Sequence, residues 1–115
     1  MKNNKVWGLT ELLFCNENFE VHRIETKAGG YSSEHKHDHK FNMFFVERGK
    51  INIHVWKNDY DLCDVTELKA REGTGVFPGE WHKFESIEDS VVYEIYYPQP
   101  IGKDIERRNV GGLKK

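Results

Sequence analysis

Cysteine is scarce in this chain: Cys15 and Cys63 are the only two in 115 residues, and they stand in unlike contexts. Two cysteines so placed form neither the framework of a small secreted domain nor the close CxxC spacing of a structural zinc site. The expectation is a chain without a disulfide, in an intracellular, cytoplasmic setting. Long apolar runs are missing as well. No stretch approaches the length of a membrane-spanning helix, and the amino-terminal MKNNKVWGL lacks the apolar centre of a secretory signal. Neither sign of charge dominates: 17 Lys and Arg stand against 19 Asp and Glu, interspersed, for a formal charge of -2. That balance leaves no electrostatic footprint for nucleic acid or for a membrane surface. The sequence also has no internal repeat, phosphate-cradling glycine loop, nucleophile elbow or cofactor fingerprint.

What remains is one domain with a modest core, helped by an aromatic content of 13%. Short apolar segments alternate with clusters of Gly, Pro, Asn and Asp, the pattern of an all-β barrel or sandwich. Residues 5 to 15 read as a strand, with Gly8 a bend or bulge; a short helix through Thr10 to Phe14 competes. Phe19 to Thr26 is a strand with two partly used faces, and Lys27 to Gly30 a turn. Phe41 to Glu47 reads as a buried strand. Arg48-Gly49-Lys50 then makes a hairpin into Ile51, Ile53 and Val55, whose alternation with Asn52 and His54 is the cleanest period-2 signal present. Residues 57 to 64 read as a loop, Val65 to Ala70 as a short strand and Arg71 to Gly75 as a turn. His82 and Phe84 lead another strand, and SVVYEIYY, Ser90 to Tyr97, is the last before Pro98 and Pro100. The tail from 98 to 115 is basic, with one helical turn conceivable over Asp104 to Arg108.

Within this frame one stretch concentrates chemistry. Residues 29 to 49, GGYSSEHKHDHKFNMFFVERG, place His35, His37 and His39 in five positions. Side chains two apart on an extended strand point to one face, so His35 and His37 can grip one ion while Lys36, Asp38 and Lys40 face the other way. Imidazole is the commonest protein ligand for transition metals. His82, in FPGEWHKFE, completes a facial set if the fold returns it to that face.

The arrangement resembles the cupins. Gly29, five residues, His35-x-His37, four residues, Asn42, six residues and Gly49 are similar to the first cupin motif. Pro78-Gly79-x-x-His82 with Phe84 is similar to the second. The likeness spans roughly residues 20 to 97. It implies a small antiparallel β-barrel or jelly roll with a metal held by two histidines, a glutamate and a third histidine. Two departures stand out: Asn42 occupies the glutamate position, and the second motif is compressed at Gly73-Thr-Gly75-Val-Phe-Pro78. Glutamine fills the same place in some sugar-processing cupins, so the missing glutamate does not itself remove the metal.

The resemblance makes His35, His37 and His82 metal ligands, with Asn42 either a weak fourth ligand or a side chain bonded to a turn. A neutral ligand set favours ions high in the Irving–Williams order over Mn; the cofactor expected is a divalent transition metal, among Zn, Ni, Fe and Mn. His39 reads as a rim residue, with ligation as the alternative. Glu94 lies on an apolar strand and either faces solvent, the commoner reading, or is a buried general base. Glu94 and His39 are the candidates for moving a proton. His22 and His54 read as ordinary, partly exposed side chains, and Trp81, Phe84, Phe44 and Trp56 as core or interface aromatics. The functions implied are isomerisation, epimerisation or ring-opening of a polar small molecule such as a sugar or sugar acid. An iron-dependent dioxygenase and a non-catalytic binding or assembly module are the alternatives. A homodimer is expected, with no nucleic-acid or membrane partner.

Overall fold

The structure, a computed structural model, describes residues 2–57, 62–98, 106 and 108–114. Among them are nine strands and no helix. They are β1 (Lys2–Lys5), β2 (Gly8–Cys15), β3 (Glu20–Thr26), β4 (Phe41–Arg48), β5 (Lys50–Trp56), β6 (Cys63–Lys69), β7 (Gly73–Val76), β8 (Trp81–Ser86) and β9 (Ser90–Tyr97). A six-stranded sheet in the order β1-β2-β3-β9-β4-β7 faces a three-stranded one, β6-β5-β8. Every pairing between these strands is antiparallel. The fold is the all-β, jelly-roll type of barrel.

The core lies between the two sheets. Ile24, Phe44, Val46, Val76 and Val92 from the larger sheet meet Ile51, Ile53, Leu68 and Phe84 from the smaller. The alternation read in β5 holds: Ile51 and Ile53 are buried, Asn52 and His54 only partly so. Gly49 carries the chain from β4 to β5 at φ 97, and a Cβ there would lie 2.5 Å from the Asp89 carbonyl oxygen. Only glycine meets both demands.

Several boundaries differ from the sequence reading, each for a physical reason. The stretch through Thr10 to Phe14 is strand, with a register shift between Leu12 and Phe14, because β1 and β3 pair on either side of it. β1 itself, KNNK, is exposed along its length and carries no apolar alternation to announce it. β6 starts at Cys63, paired with Trp56, so the loop before it is shorter than read. Gly73 to Gly75 is not a turn but most of an edge strand: β7 lies so close to β4 that a Cβ on Gly73 would meet the Phe44 carbonyl oxygen at 2.8 Å. The turn falls earlier, at Arg71, which takes φ 74. The helical turn considered for Asp104 to Arg108 lies outside the described residues. Among those described, no helix is long and apolar enough to cross a membrane.

One segment outside the nine strands carries the first two histidines into place. Residues 29 to 35 run antiparallel beside β8, held by Gly29 N–H to the Ser86 carbonyl (2.8 Å) and Ser32 N–H to the Phe84 carbonyl (3.1 Å). At its end His35 and His82 exchange both backbone hydrogen bonds, at 3.0 and 2.9 Å.

Candidate metal centre

The double hydrogen bond between His35 and His82 sets these residues directly opposite each other, which is what brings the two histidine motifs together. His37 lies two residues on, its carbonyl accepting from the Gly79 N–H at 2.8 Å. The three rings converge: centroids are 4.5 Å apart for His35–His82, 5.2 Å for His35–His37 and 5.5 Å for His37–His82. One ligand nitrogen from each lies within 4.8 Å of the other two, close enough to share one ion. The three histidines named from the sequence therefore lie together, although His35 and His37 stand outside the nine strands.

The hydrogen bonds around the rings decide which nitrogens are available. His35 Nδ1 lies 2.9 Å from the Ser33 carbonyl and His82 Nδ1 lies 3.0 Å from the Glu80 carbonyl. A carbonyl only accepts, so both Nδ1 atoms carry the proton and both Nε2 atoms keep a lone pair. His37 Nε2 is buried with no hydrogen-bond partner among the described residues. Burial, with His35 and Lys40 nearby, depresses the His37 pKa to about 4, and burial lowers that of His82 as well. Two rings oriented by backbone carbonyls and a third with an orphaned buried nitrogen fit a divalent transition metal.

The inner face of the larger sheet supplies the surroundings. Its register lines up Glu20, Tyr96 and Asn42 in one row and His22, Glu94 and Phe44 in the next. Asn42, 1% exposed, does not bond a turn. Its Nδ2 donates to Glu94 Oε2 at 3.0 Å and lies 3.2 Å from His82 Nε2. Tyr96 donates its hydroxyl to the same Glu94 oxygen at 2.7 Å. Burial and the Glu94 charge hold the Tyr96 phenol far above its ordinary pKa, so it stays a donor. Glu94 thus faces the interior, half-buried, against the commoner expectation of solvent.

His22 is the residue that the sequence pattern passes over. It lies directly across from Glu94, its Nε2 is 3.2 Å from Glu20 Oε2, and its ring packs edge-on against Tyr96 at 5.7 Å. Its parity with Ile24, a core residue, is the signal that could have found it. His39 is exposed and outside the trio. It borders a cavity of about 460 Å³ with Lys36, His37, Lys40 and Glu20. A second cavity, about 330 Å³, reaches His22 and Glu94 from the side of β1 and β2. Tyr96 lines both. Among the other aromatics, Phe44 and Phe84 are core, while Trp56 and Trp81 sit on the outer face of the smaller sheet.

No family model and no curated protein matches the sequence. Solved structures do. KdgF from Halomonas sp. superposes with a TM-score of 0.73 at 12% identity, over 87% of this chain and 89% of that one. The cupin domain of Cnp3 from Schizosaccharomyces pombe gives 0.71 at 21% identity, over 84% and 69%. The chain folds as a small cupin. Oxalate decarboxylase from Bacillus subtilis, a protein with Mn(II) centres, matches this chain with a TM-score of 0.73 at 11% identity; 88% of the present chain is covered, but 28% of the other. At these identities the shared property is the fold, which many chemistries use.

Proposed function

We propose that the chain holds one divalent transition metal at His35, His37 and His82 and uses it on a polar small molecule of the sugar or sugar-acid class. The observation that carries this reading is the orphaned His37 Nε2, beside two rings whose Nδ1 protons are fixed on backbone carbonyls, with a ligand nitrogen of each histidine within 4.8 Å of the other two. Such a site supplies Lewis-acid polarisation of a carbonyl oxygen, which acidifies the neighbouring C–H. Glu94 is the group that takes the proton. Both hydrogen bonds it receives, from Asn42 and Tyr96, fall on Oε2, which leaves Oε1 for the substrate. Tyr96 and Asn42 hold the carboxylate in place, and His22 buttresses Tyr96. Isomerisation, epimerisation and ring-opening all need such a proton transfer.

Glu94 contacts the histidine cluster through Asn42 and Tyr96 and is not among the groups whose ligand atoms converge, so it does not complete the two-histidine, one-carboxylate set of non-haem iron oxygenases. That favours proton-transfer chemistry over the dioxygenase alternative. The chain also pairs with a second copy through the outer face of its larger sheet. Val21, Ile95 and Met43 form one row across that face, with Tyr93 and Phe45 beside it.

The test begins with metal analysis of the purified protein after incubation with Ni, Zn, Fe and Mn, and continues with trials on sugar acids with and without chelator. Stoichiometric metal and chelator-sensitive turnover are expected. Protein that stays metal-free under all four ions removes the reading.

A further inference from the structure

We infer that His22 is a second proton-transfer group beside Glu94, positioned by Glu20, and that the two together select a carbonyl shift between neighbouring carbons of a sugar acid over inversion at one carbon. This rests on Glu94 being the base of the proposed reaction.

The larger sheet brings the two side chains together. His22 of β3 and Glu94 of β9 are direct partners in an antiparallel pair, so they share one face with Cβ atoms roughly 4.5–5.5 Å apart. Both border the cavity of about 330 Å³, whose wall also includes Trp7, Leu12 and Tyr96. His22 Nε2 lies 3.2 Å from Glu20 Oε2, and that hydrogen bond lowers the Glu20 pKa, with Lys40 adding to it. An ionised carboxylate only accepts, so Nε2 carries the proton and Nδ1 keeps a lone pair. Nδ1 has no hydrogen-bond partner among the described residues and, unlike Nε2 of His37 and of His54, is not sealed from solvent. Glu94 shows the same asymmetry: Oε2 takes both of its hydrogen bonds, while Oε1 is neither bonded nor sealed. One cavity thus holds two open acceptors side by side, a carboxylate and an imidazole backed by a carboxylate.

A carbonyl shift needs two such groups. Glu94 Oε1 takes the proton from the carbon beside the carbonyl, and the electron pair of that C–H bond becomes the double bond of an enediolate. His22 Nδ1 takes the hydroxyl proton of the same carbon, and the Glu20 carboxylate stabilises the imidazolium that forms. His22 then returns its proton to the former carbonyl oxygen and Glu94 gives its own to the former carbonyl carbon. The carbonyl has moved by one carbon, both residues are restored, and no co-reactant enters. Inversion asks for something different, a donor on the face of the planar intermediate opposite the base. His22 and Glu94 rise from one face of one sheet, so both reach that intermediate from one side.

The experiment uses the whole zinc-loaded chain in heavy water, with D-glucuronate and D-galacturonate as probes and NMR as the readout. Wild type should form the keto isomer, with deuterium on the former aldehyde carbon and no epimer. In His22→Gln, hydrogen exchange at the carbon beside the aldehyde should stay within about threefold, while kcat for the shift falls at least about 10²-fold at unchanged KM. Glu20→Gln should also lower kcat and leave KM alone. Wild type that yields the epimer as its main product overturns the inference. Exchange and shift lost equally in His22→Gln overturn it too, by making His22 a prop for Tyr96 alone. Should the variants fold poorly, nitrogen NMR of the metal-free wild type decides: the neutral His22 ring should be protonated on Nε2, and a proton on Nδ1 overturns the inference. Wild type that exchanges no hydrogen of either probe fails differently, by removing the Glu94 reading beneath it.

Discussion

Burial against His35 and His82 keeps the folded His37 neutral down to a pKa of about 4, against 6.5 for the ordinary imidazole. Between those values the unfolded chain binds the extra proton and the folded one does not, so stability rises with pH there. The metal-free protein should lose stability as pH falls from about 6.5 to about 4, and the loss should level off below. Urea midpoints measured in chelator across that range check it, and His37→Phe should flatten the slope. His82 contributes in the same direction. Glu94 offers a separate test. Glu94→Gln keeps a hydrogen-bonding side chain but removes the base, so metal content should survive while turnover falls by about 10²–10⁴. An equal loss of metal would place Glu94 in ion binding instead. These residues also mark where the sequence was legible. His35, His37 and His82 were readable because period-2 spacing and two ordered motifs agree on one face. Glu94 was not, because β9 is apolar on both faces and parity alone does not choose between them. His22 was hidden for a similar reason, since β3 uses both faces in part.

At the scale of elements, the crossing from one sheet to the other depends on Gly49. Its φ of 97 and its approach to Asp89 and Ser90 leave no room for a side chain. Gly49→Ala should cost at least about 1–3 kcal/mol, read as a lowered urea midpoint with unchanged slope. A loss within 0.5 kcal/mol, the range of about ±0.5 seen for ordinary surface changes, would mean the turn relaxes freely. Strands with apolar alternation, β5 above all, could be read from the residues alone. β1 and β7 could not: one is a polar, exposed ribbon and the other is mostly glycine, and both are strands because a neighbour pairs with them. The run from residue 29 to 35 was likewise invisible. It carries no strand-like pattern, and only its bonds to β8 give it an extended course.

For the whole molecule, a ligand that binds only the folded state stabilises it in proportion to its excess. Zinc at 100 times its dissociation constant should add about 2.7 kcal/mol to unfolding, and His82→Gln should abolish most of that increment. Denaturant titrations with and without the ion check both. The half-buried outer face of the larger sheet sets the expected mass in solution at that of a dimer. Light scattering at micromolar concentration decides it, and a monomer would leave that face unexplained.

The paired backbone bonds between His35 and His82 have a bearing on biogenesis. A growing polypeptide emits the HKHDH tract before β8 leaves the ribosome, and that tract alone holds only two members of the trio. The third imidazole arrives only when the barrel shuts. In the proposed site, discrimination among ions would thus wait until β8 has emerged and paired, and a filled site would report a closed barrel.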